Sequence, residues 1–473
     1  MVQKIAVFFF FISFIAGTLQ GATTKINCSN KEYAGKSLVF YQLEDPVTNY
    51  KSEAFTLEID NNGNCTITVD IKNDSYYFSD FGVFRGMLLV KPGETVTLKL
   101  PPFRAKTFAE EKNPYFQPVS FWFISESGAN LTDKISEFEQ QLNYLTDKYF
   151  NKLYLKQSKA VFDSVQTQLD ILVPNTAPKS MVNHKVLRVK LTEADIFQLR
   201  PEAYSAIFNN IEPKFWLHPA FVEAMNKTFD RQLSFSAQAI HGDKVRAAVG
   251  TKNLQALIDF VESKYKTSGL TTDIVLLKLL HDGFYSKEFS QQAIRNLVES
   301  PRFTKSTNAL VKTTAENILD KFSFLVKGSV APAICLNNLE GTKVCTSAGT
   351  DKFKYLVFAD VETMVSKEHL KYLSRLDELF NKHLEIVVIL RNAPPETVKS
   401  FFNEYKVPAQ ILIDKNGMFI EEYRIKSFPQ CVLLDEQHRV VFDFAKAPLD
   451  GFEQQFGAYL QNELFMRQRN QNR

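Results

Sequence analysis

The sequence predicts a multidomain protein with an N-terminal antiparallel β-sandwich, a central α-helical domain and a C-terminal α/β domain. Three successive patterns along its 473 residues lead to this prediction. Apolar and polar residues alternate up to about residue 100, apolar residues recur at the helical period up to about residue 327, and strands then alternate with helices. The predicted boundaries are 1–21 for a signal peptide, 22–102 for the β-sandwich, 103–327 for the helical domain and 328–473 for the α/β domain.

Residues 1–21 have the pattern of a secretory signal peptide. Lys4 precedes an apolar run from Ile5 to Ile15 that contains four consecutive phenylalanines, and small or polar residues follow up to Gly21. This run is too short to cross a bilayer comfortably, although an uncleaved anchor is the alternative. No later stretch reaches about 18 apolar residues, so we expect an exported chain with no membrane span after cleavage.

Charge and histidine spacing exclude several classes of function. The formal net charge is +3, and no basic stripe indicates a nucleic-acid partner. His184, His218, His241 and His281 are scattered through the helical region, and none has a partner at metal-ligand spacing. We therefore predict neither a metal site nor a cofactor.

The N-terminal region contains the first of two cysteine pairs. Cys28 lies in the first predicted strand, and Cys65 faces inward on a later one that follows the turn at residues 60–64. Because an exported protein meets an oxidising compartment, we expect a disulfide between them. Two separate buried thiols are the alternative.

Residues 103–327 are predicted to form helices, several of which begin with a capping Ser or Thr followed by an acid. The polar segment Leu172–Lys190 contains Pro174 and Pro178 and is predicted to be a loop. The predicted helices are Thr132–Leu153, Tyr154–Leu172, Thr192–Leu199, Leu254–Tyr265, Thr272–Tyr285, Ser286–Glu299 and Ser306–Phe324.

The three remaining cysteines lie in the last third of the chain. Cys335 and Cys345 stand on the two arms of a predicted hairpin that turns at Glu340-Gly341, which favours a structural disulfide and leaves a redox-switching one possible. Cys431 has the apolar neighbours Val432, Leu433 and Leu434, so its thiol should be buried, protonated and inert.

Strands alternate with helices in the C-terminal region. The predicted order is a strand at Tyr355–Ala359, one helix at Val365–Asn381, a strand at Glu385–Leu390, a helix at Pro395–Glu404, and extended segments at Gln410–Asp414, Gly417–Tyr423 and Val440–Phe444. Three pieces stand out, namely Ala331-Pro332 with Gly341, the strand Tyr355–Ala359, and the run from Tyr423 through Phe428-Pro429 to Asp435. By these pieces and their order the region resembles the TlpA/ResA-type thioredoxin-like family of exported bacterial proteins over about 140 residues. The stretch Lys91–Leu98 is similar to the small β module that precedes such domains.

This resemblance implies a degenerate redox site. Thr363 and Ser366 stand where the family carries its two cysteines, and His369 stands where an acid is common. The resemblance also implies a cis Pro429, which would place Phe428 beside the loop at Thr363–Ser366. A protonated hydroxyl can neither form nor resolve a disulfide, so Thr363 is predicted to serve as a helix cap.

Our leading hypothesis is a periplasmic protein with no enzymatic activity, in which a groove beside Phe428 and Pro429 binds a protein or peptide. A purely structural scaffold is a related possibility. The alternative from the enzyme class is a divergent thiol-disulfide oxidoreductase that uses Cys335, Cys345 or Cys431.

The acid–base hypothesis has less support. Asp360, Glu362, Glu368 and His369 cluster in the sequence, but they lack a nucleophile, a metal motif or a phosphate loop beside them. Such charges at the start of a helix are usually solvated.

Overall fold

The computed structural model of the protein describes residues 22–240, 242–347 and 351–471. The predicted signal peptide and His241 lie outside these residues. The chain divides into two compact units, the first formed by residues up to 106 with 117–319 and the second by 107–116 with 320 onward. Among the described helices, none combines the length and the apolar character needed to cross a bilayer.

In the described part of the first unit, nine strands form two sheets around a common core. The sheet orders are β4-β1-β7-β9 and β3-β2-β5-β6-β8, and Ile26, Phe40, Phe55, Leu88 and Phe123 are among the side chains that both sheets bury between them. The strands are β1 (Ala22–Ser29), β2 (Ser37–Leu43), β3 (Lys51–Glu58), β4 (Asn64–Ile71), β5 (Ser75–Phe81), β6 (Phe84–Val90), β7 (Thr95–Lys99), β8 (Val119–Trp122) and β9 (Ile124–Ser125).

These sheets differ from the predicted antiparallel arrangement in two respects. Strands β1 and β7 pair in parallel, as do β6 and β8, so both sheets are mixed. A parallel neighbour requires a long connection, which residues 91–118 provide between β6 and β8. Strands β8 and β9 also lie beyond Pro102, in the region predicted to be helical. They were not predicted because segments of four and two residues are too short to show an alternating pattern.

The register of β1 and β4 places Cys28 directly opposite Cys65, and a disulfide joins them inside the core. The turn before β4 depends on Gly63, whose φ is +87°. A Cβ atom at this position would lie 2.7 Å from the backbone of Asn30. No side chain fits there, so the turn that sets this register requires glycine.

The helical part of the first unit follows the sheets in the chain. Helix α8 has the predicted bounds, whereas the others differ from the predictions at one or both ends. Helix α1 (Phe108–Lys112) belongs to the second unit. The remaining helices are α2 (Leu131–Lys148), α3 (Lys159–Leu172), α4 (Lys179–Phe197), α5 (Pro219–Phe229), α6 (Gln232–Gln238), α7 (Asp243–Gly250), α8 (Leu254–Tyr265), α9 (Gly269–Phe284), α10 (Gln291–Val298), α11 (Pro301–Thr304) and α12 (Ala309–Ser323).

The loop predicted at Leu172–Lys190 was wrong, because most of it is helix α4. This helix buries polar residues that its sequence gave no reason to place inside. His184 Nε2 lies 2.6 Å from a carboxylate oxygen of Glu139, and Lys185 Nζ donates to Asp170 at 2.7 Å. Leu187, Leu191 and Ala194 form a buried apolar face of α4, and pairing of His184 and Lys185 lets the helix bury polar side chains beside it.

The second unit is a four-stranded sheet in the order β14-β13-β12-β15, with helices on both sides. Strands β12, β13 and β14 are parallel, and β15 runs antiparallel to β12. Its elements are β10 (Cys335–Asn337), β11 (Lys343–Cys345), β12 (Phe353–Ala359), α13 (Met364–Lys371), α14 (Leu373–Phe380), β13 (Leu384–Arg391), α15 (Pro395–Tyr405), β14 (Gln410–Asp414), α16 (Met418–Glu422), β15 (Gln430–Leu434) and α17 (Phe452–Gln471).

The central strand β12 is buried along its whole length. Tyr355 and Val357 point into the core on one face of the sheet, and Leu356 and Phe358 point into the core on the other. A continuous apolar run is typical of a parallel strand covered on both faces, and this pattern made the strand predictable.

Three element predictions in this unit were wrong. The helix predicted at Val365–Asn381 is two helices, α13 and α14, that meet at Tyr372. The segment predicted to be extended at Gly417–Tyr423 contains helix α16, because the Asp414 carboxylate accepts hydrogen bonds from two of its backbone N–H groups at 2.9 Å. The strand predicted at Val440–Phe444 is represented by isolated bridges.

Removal of the Cys28–Cys65 bridge should destabilise the first unit. A Cys28→Ala/Cys65→Ala variant frees a loop with a sequence separation of 37. From the entropy of closing that loop we expect a loss of about 4 kcal/mol in the free energy of unfolding, measured by urea denaturation. The matched pair Cys335→Ala/Cys345→Ala, with a separation of 10, should lose about 3 kcal/mol. An unchanged urea midpoint in the first variant would contradict this account.

Candidate functional site

The candidate site lies where strand β12 ends and helix α13 begins. The register pairs Phe358 of β12 with Gln430, the first residue of β15. This pairing brings Phe428 and Pro429 beside the loop that leads into α13, and the Phe428–Pro429 peptide bond is cis. We call this region the α13 site and define it as residues 360–366 with Arg391, Phe428 and Pro429.

The loop is held by hydrogen bonds to Asp360, whose side chain is buried. One carboxylate oxygen of Asp360 accepts from the Glu362 backbone N–H at 2.9 Å, and the Asp360 carbonyl accepts from the Thr363 backbone N–H at 3.0 Å. The Asp360 backbone N–H donates to Ser366 Oγ at 3.2 Å. Ser366 is itself fully buried, so its hydroxyl fastens the loop to the first turn of α13.

Thr363 stands at the N-cap position of α13 with extended backbone angles. The predicted position of Thr363 as a helix cap is thus found, although no helix N–H donates to its hydroxyl. Instead Thr363 Oγ1 donates to the Asp360 carbonyl oxygen at 2.9 Å. The hydroxyls of Thr363 and Ser366 therefore both stabilise the loop.

Two cations that sequence reasoning missed complete the site. Lys112 of helix α1 places Nζ 2.8 Å from Asp360 Oδ2 and 2.6 Å from Glu362 Oε2. Burial by itself would lower the pKa of Lys112, but the hydrogen bonds to both acids outweigh this effect and raise it. Lys112 precedes Asp360 by 248 positions in the chain, so no local pattern could have indicated the contact.

Arg391 links the acids to the aromatic side of the site. Its Nη1 lies 3.5 Å from Asp360 Oδ2, its Nη2 lies 3.5 Å from Glu111 Oε1, and its guanidinium lies 5.8 Å from the centre of the Phe428 ring. Arg391 ends β13, the parallel neighbour of β12, and parallel strands bring their carboxyl ends to one edge of a sheet. The shared edge of parallel strands is the one signal from which Arg391 could have been predicted to lie at the site.

The other two acid–base candidates do not join this cluster. Glu368 pairs with Lys371 at 2.8 Å on the exposed side of α13. His369 is buried, and its Nδ1 accepts from the Leu449 backbone N–H at 3.2 Å. Burial lowers the pKa of His369, so this side chain acts as a neutral acceptor near neutral pH.

The cysteines of this unit lie outside the α13 site. Cys431 is the free cysteine of the described chain, and it is buried on β15 opposite Val357. Burial raises the pKa of the Cys431 thiol to about 12. Cys335 and Cys345 face each other across the β10–β11 hairpin and form a disulfide whose two residues are half-buried.

A pocket of about 450 Å³ adjoins that hairpin. Cys335 and Leu336 line one side of it, and residues of α15 and of the segment after β14, among them Val398 and Met418, line the others. Within the described ranges, no three His, Cys, Asp or Glu side chains come together as metal ligands.

The order of its strands and the position of the cis proline define the second unit as a thioredoxin-like domain. The family model of the AhpC/TSA family matches residues 327–442. This chain is similar to the thiol-disulfide oxidoreductase ResA of Halalkalibacterium halodurans, with 26% identity over 134 residues that cover 28% of this chain and 76% of the relative.

Solved structures are also similar to part of this chain. The thioredoxin domain of a thiol-disulfide oxidoreductase from Bacteroides vulgatus is 23% identical, covers 27% of this chain and 94% of that one, and has a TM-score of 0.25. A thiol:disulfide interchange protein from Bacteroides sp. is 22% identical, covers 28% of this chain and 91% of that one, and has a TM-score of 0.26.

The burial of Cys431 predicts that its thiol does not react in the folded protein. Ellman's reagent at pH 8 should detect almost no thiol in the native chain and one thiol per chain in guanidinium, since the other four cysteines are bridged. A Cys431→Ala variant should give no signal under either condition. Rapid release of one equivalent from the native wild-type protein would show that the thiol is accessible.

Proposed function

We propose that this protein is an exported thioredoxin-like protein whose α13 site binds a polypeptide segment and carries out no thiol–disulfide exchange. One observation carries this proposal. Thr363 and Ser366 use both hydroxyls to hold Asp360 in place. By the resemblance, these residues stand where the family carries its two cysteines.

The chemistry of exchange supports the same conclusion. A thiolate must attack a disulfide, and a second thiol must then resolve the mixed disulfide. The hydroxyls of Thr363 and Ser366 can perform neither step at neutral pH. Cys431 cannot substitute for them, because its thiol is buried and protonated.

The surface of the α13 site favours a polypeptide ligand. Met364 and Val365 expose 70% and 60% of their surface at the start of α13, although both are apolar. Phe428 is half-buried at the same edge of the sheet. Exposed apolar side chains beside buried charges are typical of a surface that recognises another chain.

Export to the cell envelope is part of the proposal. The pattern of residues 1–21 supports a signal peptide, and two disulfides suit an oxidising compartment such as the periplasm.

A second candidate function uses the Cys335–Cys345 disulfide. This bridge is half-buried and adjoins the 450 Å³ pocket, so a substrate could approach it. In this alternative a dithiol substrate is oxidised to a disulfide while Cys335 and Cys345 are reduced to two thiols. The protein would then be a divergent thiol-disulfide oxidoreductase that works away from the α13 site.

Insulin reduction with dithiothreitol separates the two candidates and tests the assignment of Thr363 and Ser366. We expect background rates from wild type and from a Cys335→Ala/Cys345→Ala/Cys431→Ala variant. A Thr363→Cys/Ser366→Cys variant should form a new disulfide and exceed background by at least about tenfold, because its first cysteine lies at a helix N-terminus that lowers thiol pKa.

The control for this gain is a Met364→Cys/Lys367→Cys variant, which has the same spacing one residue further along α13. It should stay near background. A wild-type rate that disappears with the cysteines at 335, 345 and 431 would establish the oxidoreductase instead. Failure of the variant at 363 and 366 to form a disulfide would contradict the assignment of these positions.

Phe428 should be required for ligand capture. With a photo-crosslinking residue at Met364 in cells, we expect the wild-type protein to form a crosslinked adduct that Phe428→Ala reduces by at least about fivefold. Phe444→Ala is the matched control, since Phe444 lies on the same domain and is 87% exposed. Equal adduct from all three proteins, or none from wild type, would overturn the binding proposal.

A further inference from the structure

Residues 107–116 are unusual because they belong to the second unit, whereas the chain on both sides of them belongs to the first. Within this segment α1 is stabilised locally by a capping box, in which the Glu110 N–H donates to Thr107 Oγ1 and the Thr107 N–H donates to Glu110 Oε2. Helix α1 buries no apolar side chain. Apolar packing therefore contributes little to holding this helix in position.

Charged contacts attach the segment to the α13 site. The side chain of Lys112 is only 9% exposed, and its ammonium is shared between Asp360 and Glu362. The preceding residue, Glu111, contacts Arg391 through its carboxylate at 3.5 Å. The adjacent residues Glu111 and Lys112 thus contact groups of opposite charge in the site. Glu111 contacts Arg391, and Lys112 contacts both acids.

The site in turn needs a cation from outside the loop. Asp360 is completely buried, and an unpaired buried carboxylate is costly. Arg391 approaches its Oδ2 only to 3.5 Å, whereas Lys112 lies at 2.8 Å. Lys112 is therefore the closer of the two cations that compensate Asp360.

We propose that the α13 site recognises a polypeptide segment carrying an acidic residue followed by lysine, and that residues 107–116 occupy it in cis until a partner displaces them. This inference rests on the proposed function of the α13 site as a polypeptide-binding surface. It adds the chemistry of the ligand and an internal competitor.

Displacement is an exchange of one lysine for another. An incoming lysine takes over the contacts of Lys112 with Asp360 and Glu362, so neither carboxylate has to remain unpaired in the product complex. An incoming acidic residue takes the place of Glu111 beside Arg391. A segment without a cation would leave Asp360 poorly compensated and would bind weakly.

Covalent attachment gives the internal segment an advantage. A tethered ligand acts at an effective concentration that reaches the millimolar range for short flexible connections. A free segment of the same sequence should therefore compete poorly with it. Loss of the lysine contact should open the site to such a free segment.

The test uses the full chain and a fluorescent peptide with the sequence of residues 107–116, Thr-Phe-Ala-Glu-Glu-Lys-Asn-Pro-Tyr-Phe. In a Lys112→Met variant, amide hydrogen exchange across residues 107–116 should accelerate by at least about tenfold. The same variant should bind the peptide at least about tenfold more tightly than wild type by fluorescence anisotropy. Lys371→Met, which removes a partly exposed lysine of α13, should behave as wild type.

A second set of variants tests which groups the peptide contacts. Glu362→Gln in the Lys112→Met background should weaken peptide binding by about fivefold or more, because it removes one partner of the peptide lysine. Glu362 is partly exposed, so this change should leave the domain folded. Glu368→Gln on the same helix is the matched control and should not alter binding. A peptide with methionine in place of its lysine should bind weakly to every variant.

Two kinds of result would overturn the inference. Unchanged exchange across residues 107–116 in Lys112→Met would show that Lys112 does not hold the segment. Faster exchange without peptide binding, or binding indifferent to the peptide lysine, would show that the segment is only a fixed structural contact. Either result would leave the insulin and crosslinking experiments to decide the proposed function separately.

Discussion

The arrangement of the α13 site depends on one buried carboxylate, that of Asp360, at the end of the central strand. Its backbone N–H, its carbonyl and its side chain each take part in hydrogen bonds with Ser366, Thr363 and Glu362. These bonds fix the loop and the direction in which α13 begins. Because burial removes the carboxylate from water, the same residue also requires nearby cations. One constraint therefore shapes the local backbone and determines which charged side chains gather around it.

The thioredoxin-like architecture of the second unit has a separate origin. The fold comes from β12, which is covered on both faces, and from the parallel order of its neighbours. Neither feature depends on sulfur. Thr363 and Ser366 hold the loop through hydrogen bonds, and the proline beside them keeps its cis peptide bond. The fold does not by itself determine the chemistry, so the function of this domain has to be argued from the site.

Sequence reasoning succeeded where the determining contacts are local or periodic. The buried strand β12 was visible as an apolar run, and the cysteine pairs were visible because each lies on two short, neighbouring strands. It failed at α4 and α16, where hydrogen bonds of buried side chains stabilise helices that the residue pattern did not indicate. The buried Lys185 of α4 donates to Asp170, and the buried Asp414 carboxylate accepts from the start of α16. The role of Lys112 could not be predicted, since only the tertiary structure brings this residue to Asp360.

In the proposed binding mode, the desolvation that positions Lys112 would also make the α13 site selective. The cost imposed on a wrong ligand would then matter more than the attraction for the correct one. An apolar or acidic segment would leave two carboxylates short of a partner, and an unsatisfied buried charge costs several kcal/mol. Glu362 is more exposed than Asp360, so water can compensate it in part, whereas Asp360 cannot be compensated in this way. Discrimination between segments therefore depends chiefly on Asp360, the residue that also holds the loop in place, and a change that relaxed one property would relax the other.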